Sequence, residues 1–136
     1  MNIKAMAIEF MIELYREQLG DDHYFLHEHP RWATSWQIAA MEALMEVPDV
    51  TLAHGDQCQY GAEVQRGPER GDLILKPTGF MTNSVHIAKE LNRLCPRDHQ
   101  HVHLVGGRAA GTAIYPHGLC QAICRGLPAQ KRDNEL

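Results

Sequence analysis

Two stretches of helical apolar period flank a short apolar run that stops at a proline, and this alternation limits the chain to folds that layer helices on a sheet. Ile3, Ala7, Phe10, Met11, Leu14, Tyr15 and Leu19 recur at helical spacing. Gly20 follows as the expected left-handed cap. "HYFLHE" then predicts a short buried strand ended by Pro30. "TSWQIAAMEALMEV" returns to helical period, with Thr34 or Ser35 as cap, and stops at Pro48. "VTLAHGDQCQYG" favours a second strand, and "LILKP" through "GFMTN" a third. "GPERGD" loops between these two, as in an antiparallel hairpin.

Asn83 or Ser84 can cap the helix "VHIAKELNRL", which ends at Cys95-Pro96. "HQHVHLV" alternates like a short strand, and "GGRAAGTA" reads as a loop. Pro116 suits the first turn of a last helix, "HGLCQAICRGL", terminated by Gly126 and Pro128. The expected class is α/β, with one domain over 1–127 and a solvated tail over 128–136.

The net charge of -4 argues against a protein that coats nucleic acid through a generally basic surface, while leaving room for a local basic patch. Cys58, Cys95, Cys120 and Cys124 form no disulfide framework, which points to reduced thiols and an intracellular setting. Acidic residues break the apolar N-terminal run, so it predicts neither a signal peptide nor a membrane span.

Glu28 leads the chemistry-bearing residues. A carboxylate delivered by a buried strand of an α/β sheet sits where such sheets place functional groups, and it can bond the N3 and N4 edge of cytosine. The plainer alternative is an ion pair with Arg31 or a nearby histidine. Cys95, His99, His101 and His103 form a second cluster, with three imidazoles on one face if the segment is extended. It has no CxxC and no second ligand pair at a standard spacing, so no tight zinc site is expected there. "VGGRAAG" lacks the residues of a phosphate loop, although Arg108 can reach a backbone phosphate. Cys58 reads as a small buried apolar residue without a base beside it, and Trp32 and Trp36 read as core or interface anchors.

Taken in order, "YFLHEHP", "DQCQYG", "KPTGFMTN" and "YPHGLCQAI" resemble the C-terminal half of phage-type DNA cytosine methyltransferases. The set is closer still to a methyltransferase-like domain of retroelement polyproteins, over roughly Met6 to Leu127. The resemblance implies that Glu28 is the catalytic glutamate that grips the target cytosine, with His29 where the family has asparagine and Pro30 as in the family. It aligns Cys58, Tyr60 and Gly61 with one strand motif and Lys76, Pro77, Thr78, Thr82 and Asn83 with the next. Pro116, Leu119 and Cys120 fall on the final helix. Arg31, Lys76, Thr78, Asn83 and Arg108 are the expected substrate-binding residues.

Such an enzyme also needs a glycine loop for S-adenosylmethionine and a Pro-Cys motif whose thiolate attacks the base. Neither is in this sequence. The expectation is therefore a partial Rossmann-like half-sheet of about three strands, including an antiparallel hairpin, flanked by helices. It would recognise a target base in DNA, transfer no methyl group alone, and need an N-terminal half or self-association to cover an open sheet edge. S-adenosylmethionine would enter only with that other half, and no membrane partner is expected. The alternative is a non-enzymatic nucleic-acid or protein interaction module, zinc-stabilised through the Cys95 to His103 cluster.

Overall fold

The structure, a computed structural model, describes residues 3–102 and 114–136. Its elements are α1 (Ile3–Gly20), β1 (Leu26–Pro30), α2 (Ala39–Met45), β2 (Thr51–Asp56), β3 (Pro77–Thr82), α3 (Val85–Leu91) and α4 (His117–Asn134). This is the expected α/β order. The sheet runs β1-β3-β2, with β3 antiparallel to both neighbours, so β1 and β2 run parallel to each other. Glu28 pairs with Phe80, and Ala53 meets Phe80 from the other side.

Strand alternation divides the core in two. Phe80 joins Ala53, Tyr60, Ile87, Leu91 and Leu119 under α3 and α4. Met81 joins Ile12, Phe25, Trp36, Met41 and Leu44 under α1 and α2. A strand buried on both faces has no room for polar side chains that lack partners. Thr78 and Thr82 meet that condition, since their hydroxyls donate to the carbonyls of Lys76 and Phe25 at 2.8 and 2.7 Å.

Several local expectations change. The inward stripe of α1 is Ile8, Ile12, Tyr15 and Leu19, whereas Ile3, Phe10 and Leu14 face outward. The helix is apolar on two sides, so periodicity alone did not select the packed one. The left-handed residue after α1 is Asp22, not Gly20. The predicted second helix divides at Ile38, which is extended and parts the short 3-10 turn Thr34–Gln37 from α2. Neither start has a side-chain cap. Ser84 does cap α3, accepting from the Ile87 N–H at 3.2 Å. "DQCQYG" leaves β2 at Asp56 and becomes the 3-10 turn Gln57–Tyr60, ended by Gly61 at φ 89°. "HQHVHLV" is irregular through Val102, and the rest of it lies outside the described residues.

The largest change is at the C-terminus. The last helix passes through Gly126 and Pro128, and the expected tail over 128–136 is mostly its final turns. Glycine is required at 126 because a Cβ there would come within 2.8 Å of the Ile87 backbone, and at 118 because a Cβ would meet the Tyr60 carbonyl. Close backbone packing thus offsets the cost of about 1 kcal/mol for each helical glycine. Beyond Pro128, Gln130 is buried. Its Oε1 accepts from Ser84 Oγ at 2.9 Å and from the His86 N–H at 3.3 Å. This anchor secures the turns that Pro128 weakens. Replacing Gln130 with Ala removes the acceptor from a buried hydroxyl and should lower stability by about 1–3 kcal/mol, read by urea denaturation.

His27 is buried between Tyr15, His29 and Trp36, with its Nδ1 2.8 Å from the Tyr15 hydroxyl. Burial, and then the neighbouring His29, push its pKa down to about 4. The folded state therefore takes up this proton at lower pH than the unfolded chain does. The stabilisation is complete above about pH 6.5 and is lost as pH falls toward 4, a difference on the order of 3 kcal/mol. Denaturation of wild type and His27→Leu across that range should show a shallower acid slope for the variant. Equal slopes would remove His27 from the pH response.

Candidate functional site

Glu28 lies within β1 rather than at its end, because Pro30 still pairs with Thr78. The alternation that buries His27 under α1 sends Glu28 to the opposite face. There Gln57 Nε2 donates to its Oε1 at 3.4 Å, and the Tyr115 hydroxyl donates to its Oε2 at 3.3 Å. Gln57 and Tyr115, with Lys76, Pro116 and His117, line a cleft of ≈ 270 Å³. That is near the lower end, about 300 Å³, of small-molecule sites. Burial, followed by the Glu28 carboxylate, raises the Tyr115 pKa and keeps that phenol a hydrogen-bond donor.

Gln57 is fully buried, and hydrogen bonding fixes its orientation. Thr78 spends its proton on the Lys76 carbonyl, so it accepts from Gln57 Nε2 at 3.0 Å. The amide nitrogen is thereby shared between Thr78 and Glu28, and the amide oxygen has no protein partner. That oxygen is buried, so it is not open to a ligand in the cleft.

Arg31 does not pair with Glu28. It bridges to Asp56 Oδ1 at 3.0 Å and lies over the ring of Trp32. Asp56 is 2% exposed, and its second oxygen accepts from the Cys95 N–H at 2.7 Å. One carboxylate at the end of β2 thus holds the end of β1 and the chain leaving α3.

That clamp places Cys95 beside Cys58 of the Gln57–Tyr60 turn. Cys58, Cys95, His99 and His101 bring their donor atoms within 4.8 Å of one another. Both imidazole Nε2 atoms are 3.6 Å from Cys95 Sγ. The Arg97 N–H donates to the same sulfur at 3.3 Å, from a left-handed turn at φ 63°. Asp98 Oδ1 holds His99 Nδ1 at 2.8 Å, which turns Nε2 toward the cluster. The lack of a second ligand pair at a standard spacing is offset by Cys58, which joins the cluster from a distant part of the sequence, while His103 lies outside the described residues. Burial first, with Cys95 and Asp56 adding to it, pushes the Cys58 thiol up. A protonated buried thiol is a poor nucleophile.

The other expected substrate-binding residues separate. Lys76 lines the cleft. Thr78 is buried in the Gln57 network. Asn83 serves the fold, accepting from the Phe25 N–H at 2.9 Å and donating to the His23 carbonyl at 2.8 Å. At strand rise it lies about 16 Å along the chain from Thr78 and cannot share one small ligand with it. Arg108 and His103 lie outside the described residues. Gln57, Tyr115 and Asp56 were not anticipated, since glutamine, tyrosine and a strand-end aspartate carry no spacing signal. The Asp98-His99 pair was the available hint of an oriented imidazole.

No protein-family model, no curated protein and no solved structure matches the chain. Among the described residues, no helix is long and apolar enough to cross a membrane.

Asp56→Ala would leave the Arg31 guanidinium and the Cys95 N–H without their acceptor. A loss of about 3 kcal/mol is expected in urea denaturation, because breaking one side of a buried pair strands the other. A change below about 0.5 kcal/mol, the level of an ordinary surface substitution, would show that the clamp is dispensable.

Proposed function

We propose that the chain is the target-recognition half of a split DNA cytosine methyltransferase-like domain of retroelement type, completed by a second polypeptide along β1. The observation that carries this reading is the open side of β1. Among the described residues the strand bearing Glu28 has β3 on one side and no strand on the other. The preceding helix α1 exposes Ile3, Met6, Phe10 and Leu14. An unpaired strand edge suits a partner that extends the sheet, and an exposed apolar helix face suits one that packs on it.

In this reading Glu28 accepts from the cytosine amino group, the pairing that carboxylates make with that base. Gln57 and Tyr115 hold the carboxylate in place, and Lys76 supplies positive charge for a neighbouring phosphate. The described residues offer no glycine loop suited to S-adenosylmethionine, so the cofactor and the attacking thiolate are assigned to the second polypeptide. Cys58 is not their substitute, since it is buried beside Cys95, His99 and His101.

The test combines purified chain with labelled S-adenosylmethionine and cytosine-containing DNA, with sizing in parallel. No methyl incorporation is expected. Concentration-dependent association is expected, weakened by Phe10→Asp. Single-stranded oligonucleotides containing cytosine should bind better than thymine controls, and Glu28→Ala should erase the preference. Methylation that disappears in Cys58→Ala, a stable monomer at all concentrations, or a cytosine preference intact in Glu28→Ala would each defeat the proposal.

A further inference from the structure

The irregular segment from Asn92 to Val102 contains no helix or strand, yet it holds Cys95, His99 and His101 against Cys58. Hydrophobic burial does not account for that order, because His99 and His101 are only partly buried. The donor geometry offers a cause. A tetrahedral zinc ion, with Zn–S of about 2.3 Å and Zn–N of about 2.0–2.1 Å, separates a sulfur from a nitrogen by about 3.5–3.6 Å. Both Cys95–histidine separations are 3.6 Å.

The surroundings match as well. Two imidazole nitrogens and a backbone N–H converge on one sulfur, Cys95 Sγ. A neutral thiol is a weak acceptor for three such groups, whereas a metal-bound thiolate keeps the N–H bond and turns both imidazoles to the ion. Asp98 on His99 Nδ1 is the carboxylate–histidine arrangement that orients zinc ligands. Asp56 fixes the Cys95 backbone from behind. The two cysteines are free thiols, available as ligands.

We infer that Cys58, Cys95, His99 and His101 bind one zinc ion in a closed, structural Cys2His2 site. Four protein ligands leave no open position for a substrate, so the ion acts as a staple and not as a Lewis acid. It ties the segment after α3 to the turn after β2. In doing so it fixes Gln57, the neighbour of Cys58 and the residue that bonds Glu28. The site stands whether or not the base-recognition reading is right. Binding releases the thiol protons and adds its free energy to folding.

The experiment uses the whole chain, expressed with zinc and dialysed against a weak chelator. One equivalent of zinc is expected by elemental analysis. Replacement by Co²⁺ should give the intense visible bands of tetrahedral cobalt together with thiolate charge-transfer bands. Cys58→Ser and Cys95→Ser should abolish those bands, and Cys124→Ser should leave them intact. Asp98→Asn, which disturbs orientation but removes no ligand, should weaken affinity by about 10–100-fold. X-ray absorption of the wild-type zinc protein should show two sulfur and two nitrogen ligands, a readout that stands even where a cysteine variant fails to fold. Wild type without zinc and without cobalt bands, bands unchanged in Cys58→Ser, or a shell without two sulfurs would overturn the site.

Discussion

The buried carboxylate of Asp56 ties together three parts of the chain that are distant in sequence. One oxygen takes the Arg31 guanidinium at the end of β1, and the other takes the backbone of Cys95 beyond α3. A desolvated charge is tolerated only when paired and hydrogen-bonded, so this site is stable in one arrangement of all three segments. Both clusters of chemistry-bearing residues depend on it. Cys95 reaches Cys58 because Asp56 holds the backbone there, and Gln57 reaches Glu28 because it follows Asp56 directly.

The sheet supplies the second constraint. β3 is buried on both faces and paired on both edges, so it is the one strand with no freedom of register. A one-residue slip would exchange Phe80 and Met81 between the two cores. β1 and β2 inherit their positions from it. β2 is further covered at its outer side, where the Asp56 N–H donates to the Arg93 carbonyl at 2.8 Å. β1 is covered only at its end, where the Pro30 carbonyl accepts from Trp36 Nε1 at 2.8 Å and from the Ala33 N–H at 3.1 Å. The outer edge of β1 is thus the more open of the two sheet edges among the described residues.

Much of the fold was legible in the sequence, because each element carried a local cause. The strand before Pro30, the Ser84 cap and the hairpin around "GPERGD" all follow from side-chain chemistry within a few residues. Other features depended on partners far along the chain. Continuation of α4 past Pro128 rests on Gln130 reaching Ser84, which no local rule contains. The packed face of α1 could not be chosen from its own pattern, since apolar residues occupy both sides.

The candidate site divides in the same way. The sequence by itself determined that Glu28 lies on a strand and that Cys95, His99 and His101 share a short segment, because strand period and spacing are local properties; that only His27 of β1 is buried was not legible. Only the tertiary structure decided their neighbours. It placed Gln57 and Tyr115 on the Glu28 carboxylate, moved Arg31 to Asp56, and set Cys58 beside Cys95. Those contacts join segments separated by β2, β3 and α3. Their geometry is fixed by the packing of Phe80 and Met81 and by the buried Asp56 charge, neither of which leaves a periodic trace in the residues they bring together.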